Sequence, residues 1–514
     1  MREQKAGGKH CATRSRRTST WPRTSRRSFP LASYAALGLA LLATSSCRGG
    51  GEASPAAQDA GGVTVFEGAR LIVGDASAPI ENSAFVTQGN RILSVGRTGE
   101  LEVPAGAAVV DLAGKTVMPA IVDPHSHVGY YDEVTDTEIQ DDFTLDRVLD
   151  HLDRFAYTGH ALTYSLGSDM PKFIDARYAD DPESFVDLRD ASEGDGFTGS
   201  RYFTVGRGLA WPGTGNPRST SFYPAVSPWI AEAAVRELAA QRVTLIKLWI
   251  EDRWGFDDPQ SEEPAYMTSA VYGAAILEAH RLGLRTIAHV KTVHDWKGVI
   301  REGVDAVTHT VEDLPIDDEL LAMIRERPGF VNVPALTSQL DGGSAPRAPG
   351  ERPAWLDDPL LGALKCRPFL EDWGRSFERQ EPAPRDGGLW AQNTVRVRAA
   401  GATILMGSHD AGGRRPIGWG SHMEMEAFVN WLGMTPAEAI ESATSATAKF
   451  IGVEDRLGTI AAGKGADFIV LDANPLDDIR NTRRISQVYL RGQKVDRESM
   501  RGRWTAACDA EGRS

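Results

Sequence analysis

From Val63 to Met118 apolar and polar residues alternate in short runs punctuated by Gly or Asn: VTVFEGARLIV, SAFVTQGNRILSVG and AAVVDLAGKTVM. A period of two is that of a half-buried strand, so this stretch reads as a small antiparallel β unit. The same signal returns near the C-terminus in ADFIVLDANP (466–475) and ISQVYLRGQKV (485–495). The two pieces predict one β-sandwich domain built from both chain ends, residues 63–118 and 452–500. Between them apolar strands alternate with amphipathic helical stretches, the pattern of βα units on a parallel sheet. Eight strands are predicted, at 116–123, 161–166, 201–206, 243–250, 284–289, 304–309, 330–335 and 402–407. Helices are predicted between them, among them 228–241, 268–282 and 435–447. Eight repeats fit an α/β fold of the (β/α)8 TIM-barrel type over 119–451 better than an open doubly wound sheet. The Pro- and Gly-rich stretch 338–388 is too long for a connecting loop and reads as an insertion above the barrel. Residues 501–514 read as a C-terminal tail.

The first 47 residues have a different character. Leu31–Ala43 is an apolar run of 13 residues, short of the roughly 20 a spanning helix needs, behind a basic leader. The motif Ser25-Arg26-Arg27-Ser28-Phe29 resembles a twin-arginine export signal. Thr44-Ser45-Ser46-Cys47 resembles a lipoprotein cleavage site, which makes Cys47 the expected lipidation residue; ordinary signal-peptidase cleavage is the alternative. Residues 48–62 then form a flexible tether. The expected location is periplasmic or cell-envelope, with the only membrane contact through the lipid anchor. Of the four cysteines in the chain, Cys366 and Cys508 could pair in an oxidising compartment, which spacing alone does not decide.

Charge follows the same division. The net charge is −14, yet residues 1–46 hold nine basic side chains against one acid, and the remainder holds 47 against 69. A body at −22 is a poor partner for nucleic acid, which leaves small molecules or peptides as the expected ligands.

The candidate chemistry sits at strand ends. In Asp123-Pro124-His125-Ser126-His127, residues i and i+2 lie on one face of a strand, so both imidazoles can reach one metal. A lone H-x-H is weak evidence; its position at the end of the first barrel strand strengthens it. Lys247 interrupts the apolar fourth strand, where an unpaired ammonium is costly. The fifth, sixth and eighth strands end at His289, His309 and Asp410. Barrel enzymes keep their chemistry on this face. Each residue alone could be a hydrogen-bonded strand end, but six arriving in order are hard to assign to chance. Tyr130 and Arg253 are candidate substrate contacts; packing and surface exposure are the plainer readings. His151, His160, His280, His294 and His422 fall outside the ligand pattern.

This constellation resembles the amidohydrolase superfamily, over roughly residues 63–496 and including MTPAEAIESATSATAKFIGVEDRLGTIAAGKGADFIVLDANPLDDI (434–479). The nearest branch by motif is that of Xaa-Pro dipeptidases and imidazolonepropionase-related peptidases. Two departures stand out: Ala120 replaces the usual Gly, and His409 precedes Asp410 as an extra residue that could bulge the strand end.

The resemblance implies a carboxylated Lys247 bridging two divalent ions. His125, His127 and Asp410 would hold one ion, and His289 and His309 the other. Zinc suits such nitrogen and oxygen donors, with manganese, cobalt and iron left open. A metal-bridging hydroxide would attack the carbonyl, and Asp410 would carry the proton to the leaving nitrogen. The expected reaction is hydrolysis of amide bonds in small peptides or N-acyl amino acids. Hydantoinase- or dihydroorotase-like cyclic amidases, lactonases and phosphotriesterases are the alternatives on such a site, and a non-catalytic surface lipoprotein is the weakest. Nucleobase deaminases are disfavoured by Thr292, where they resemble a pattern carrying Glu. A homo-oligomer is left open.

Overall fold

The predicted first strand, 116–123, divides between two sheets. A computed structural model describes residues 62–513 apart from 130, 139–143, 168–184, 195, 213–221, 251–265, 339–350, 378–386 and 411–415. Thr116–Pro119 pairs with Val63–Leu71 on one side and with Phe468–Leu471 on the other. It therefore sits at the centre of an eight-stranded sheet built from both chain ends. After Ala120 the chain continues as strand Ile121–Ser126, which pairs in parallel with His160–Ser165. The leader, Cys47, the tether to residue 61, Tyr130 and Arg253 lie outside the described residues.

Where alternation predicted a sandwich, hydrogen bonding joins the terminal strands in one sheet. Its edge strand Arg91–Arg97 turns back on segment 463–466, through Ile92 N–H to Lys464 O at 2.9 Å and Gly463 N–H to Ile92 O at 2.8 Å. That contact covers an edge that would otherwise expose unpaired backbone groups. One face buries Phe66, Phe85, Phe468 and Tyr489, whose rings meet at 4.7–5.1 Å. These aromatics belong to a small core separate from the main one.

All eight predicted parallel strands are present. Ile121–Ser126, His160–Ser165 and Arg201–Thr204 form one sheet. Leu245–Trp249, Arg285–His289, Ala306–Thr308, Val331–Val333 and Thr403–Ile404 are consecutive neighbours in another. The two meet beyond the last strand: His409 N–H bonds to His125 O at 2.6 Å and His127 N–H to Asp410 O at 2.8 Å. Buried aliphatic and aromatic side chains from both sheets and the intervening helices make up the main core.

Helix boundaries follow local chemistry. Thr292 caps Val293–Glu302 by accepting from Asp295 N–H, and Gly303, at φ 98°, ends it. Thr435 and Glu438 form a reciprocal capping box at Pro436–Ser442. The predicted helix 435–447 is broken at Thr444, whose hydroxyl bonds Gly74 O and Ile440 O; a second helix, Ser445–Ile451, follows. The described part of the insertion contains helices Pro359–Leu364 and Arg367–Phe377. Residues 501–510, expected as a tail, belong to helix Arg497–Ala510. Its Trp504 packs under the Arg154 guanidinium and donates to Asp150 at 2.7 Å. A Cys366–Cys508 disulfide joins this helix to the insertion across 142 residues. Among the described residues no helix is long and apolar enough to cross a membrane.

Candidate metal centre

Parallel pairing brings the strand ends into register. Trp249 stands opposite His289, and His289 opposite Thr308. His125, Lys247, His289 and His309 are almost fully buried, and His127 nearly so. Ring centroids lie 5.4 Å apart for His125 and His127, 5.5 Å for His125 and His309, and 4.4 Å for His289 and His309. The fold thus gathers the four predicted histidines.

Lys247 points into the same space. Its Nζ donates to Thr308 Oγ1 at 2.9 Å and lies 4.8 Å from the Trp249 ring centre. Burial pushes this amine well below the usual lysine range. Burial likewise holds His125, His289 and His309 well below the ordinary histidine value. Neighbouring imidazoles add to it at His125 and His309, and Lys247 adds to it at His125 and His289. Neutral imidazoles keep the lone pair that metal ligation needs.

Asp410 is buried, but its carboxylate is engaged elsewhere. It accepts from Gly418 N–H at 2.8 Å and from Gly420 N–H at 3.1 Å to both oxygens. The strand-eight side chain among the imidazoles is His409, with its ring centroid 4.7 Å from His125 and 4.9 Å from both His127 and His309. Ligand atoms of His125, His309 and His409 all fall within 4.8 Å of one another. Sequence reasoning noted His409 only as an extra residue; its contiguity with Asp410 was the available signal.

Two supporting features were not anticipated. Buried Asp123 accepts from His125 N–H at 3.0 Å, Ser408 N–H at 3.1 Å and Ser408 Oγ at 2.5 Å, tying the first strand to the eighth. Burial pushes its carboxyl up to about 7 against the lowering effect of those bonds. Trp249 stacks on His289 with centroids 4.4 Å apart and fixes the plane of that ring. His151 lies outside the cluster and accepts from Gly129 N–H at 3.0 Å, anchoring the turn after the H-x-H. Tyr131 donates to Asp136 O and packs beneath Lys365.

A metal ion fits these residues. Both ring nitrogens of His125 and of His309 are buried without a hydrogen-bond partner among the described residues. Buried polar atoms left so are rare, and a cation accepting their lone pairs would satisfy them.

What the fold and site define is an α/β chain with a histidine-rich centre at its strand ends. Residues 393–495 match the Amidohydrolase family. A stretch of 95 residues is 33% identical to the imidazolonepropionase of Deinococcus deserti, covering 18% of this chain and 23% of that protein. The chain thus spans under a quarter of that relative's length. A solved Xaa-Pro dipeptidase with bound methionine in its active site shares the fold at 21% identity, with a TM-score of 0.61 over 84% of this chain and 99% of that one. A solved molinate hydrolase does so at 21% identity, with a TM-score of 0.64 over 85% and 96%. The family match is confined to that segment of the chain, and the two solved structures share its fold.

Proposed function

We propose that the chain is a metal-dependent hydrolase of amide C–N bonds in small peptides or N-acyl amino acids. One observation carries the proposal: buried, neutral imidazoles of His125, His289 and His309 converge with His127, His409 and the depressed amine of Lys247 at one set of strand ends. The Xaa-Pro dipeptidase and the molinate hydrolase that share the fold support a hydrolase reading. Sequence resemblance supports two divalent ions, zinc by donor preference, over a (β/α)8 barrel with a small β domain.

Bound there, the ions would polarise the scissile carbonyl and supply a nucleophilic water at neutral pH. The chain's own residues prepare that chemistry. Burial favours the uncharged form of Lys247 Nζ, whose lone pair would take up CO2 as a carbamate with release of a proton, turning the amine into an anionic oxygen donor. Trp249 and Thr308 orient the residues around it, and Asp123 with Ser408 holds the first and eighth strands in register.

An exported, lipid-anchored protein at Cys47 completes the reading. The Cys366–Cys508 bridge supports it, since such bonds persist in oxidising compartments. The test is an assay of metal-loaded protein against dipeptides and N-acyl amino acids, with hydantoins, lactones and phosphotriesters alongside. Turnover confined to a non-amide class overturns the amidase proposal.

A further inference from the structure

The segment beyond strand Thr403–Ile404 turns in an unusual way. His409 has a φ of 50°, a left-handed conformation uncommon outside glycine. Its N–H nevertheless bonds His125 O, and the next carbonyl, that of Asp410, accepts from His127 N–H. A left-handed residue inserted between paired neighbours is the geometry of a bulge, and a one-residue shift exchanges which side chain faces inward. Ser408 holds the turn, its Oγ donating to Asp123 and accepting from Asp410 N–H at 3.0 Å.

The exchange is visible in both side chains. The His409 imidazole lies within 5 Å of the His125, His127 and His309 rings. The Asp410 carboxylate instead meets the first turn of helix Gly420–Leu432, where backbone N–H groups favour negative charge. Residue 420 admits that approach only as glycine, because a Cβ there would stand 2.2 Å from Asp410 Oδ1.

We infer that His409, rather than Asp410, is the metal ligand contributed by the end of the eighth strand, and that Asp410 is a positioning residue seated on the following helix. The inference rests on the proposed metal-dependent reading. Exchanging a carboxylate for a neutral imidazole leaves the filled centre one unit more positive. It also favours nitrogen-preferring divalent ions such as zinc or cobalt over magnesium or calcium.

The test is cobalt binding to the full chain, read by the visible ligand-field spectrum and by metal content after dialysis, with melting curves confirming that each variant is folded. His409→Ala is expected to weaken cobalt binding by more than the roughly 10–100-fold that loss of an outer supporting partner causes. His409→Asp, which restores a carboxylate, should bind cobalt with a shifted band, because an oxygen donor replaces nitrogen. Asp410→Asn should keep the spectrum and weaken cobalt binding by no more than that roughly 10–100-fold, as loss of a positioning residue does. Loss of cobalt in Asp410→Asn with retention in His409→Ala overturns the inference, as does equal loss in both or an unshifted band in His409→Asp. Wild-type protein that binds no divalent ion overturns the metal-dependent reading itself, a result distinct from the others.

Discussion

Lys247 Nζ donates to Thr308 Oγ1 across the intervening strand Arg285–His289, at 2.9 Å and fully buried. The hydroxyl is the partner of an amine that burial holds well below the usual lysine range. If Lys247 becomes a carbamate, Lys247→Met, which keeps volume but cannot take up CO2, should lower bound metal from two ions per chain to one. Metal analysis of dialysed protein measures this directly. Reconstitution of metal-free wild type should also be slower in CO2-depleted buffer. Two ions retained in Lys247→Met would refute the bridging role.

Arg201 and Asp467 join the parallel strands to the terminal β sheet. Arg201 Nη1 and Nη2 reach the two Asp467 oxygens at 2.7 and 3.2 Å, and both side chains are buried. Asp467 also accepts from Arg491 N–H at 3.0 Å. Breaking a buried pair costs about 3–5 kcal/mol, and without Asp467 the Arg201 guanidinium would keep only its ion pair with Glu193 at 3.2 Å. Urea melts of Asp467→Ala should show a loss of that order. The paired change Arg201→Met with Asp467→Leu should recover most of it, since neither charge then remains buried.

The strand ends show how far the pattern of residues reaches. Eight apolar runs located eight parallel strands, and strand periodicity accounts for the face of His125, Lys247 and His289, whereas His309, just beyond its strand, is turned inward at a left-handed φ of 67°. Asp410 is different. Its direction depends on the single φ of His409, which no periodicity encodes, and a bulge reverses the face. The first strand was read as one piece because Val117 to Val122 is uniformly apolar; its division at Ala120 depends on partners more than 300 residues away in Phe468–Leu471. The Arg201–Asp467 pair and the Ser408–Asp123 bond are equally non-local. Their sequence signal is an ordinary charged or polar residue at a strand end.

The Cys366–Cys508 bridge closes a long loop, with the two Cα atoms 5.7 Å apart. In the chain-entropy account, closing a loop of 142 residues restricts the unfolded chain enough to contribute at most about 5 kcal/mol. Reductant should therefore lower the melting temperature of wild type. Cys508→Ser should begin at the lowered value and show no further response to reductant. An unchanged wild-type melting curve after verified reduction would show that the bridge adds nothing to stability.

His160 and His422 make stability depend on acid independently of the metal centre. Both are fully buried. His160 bonds Ser421 Oγ at 2.7 Å, and His422 bonds Thr482 Oγ1 and Thr158 O, each at 3.1 Å. Burial pushes His422 down to about 3, with the Arg483 charge adding to it. Burial and then the His422 charge hold His160 well below the usual histidine value. In the unfolded chain both return to about 6.5. Below that pH the unfolded state binds more protons than the folded one, so stability rises with pH. The stabilising contribution is complete above about 6.5 and is lost progressively as the pH falls toward 3. Each histidine can add a slope of up to about 1.4 kcal/mol per pH unit. Urea melts of metal-free protein at pH 7, 6 and 5 should show the decline. His422→Gln, which removes one of the two groups, should make it shallower by up to that amount, whatever its own effect at pH 7. Parallel slopes in wild type and His422→Gln would mean that His422 carries none of the acid sensitivity.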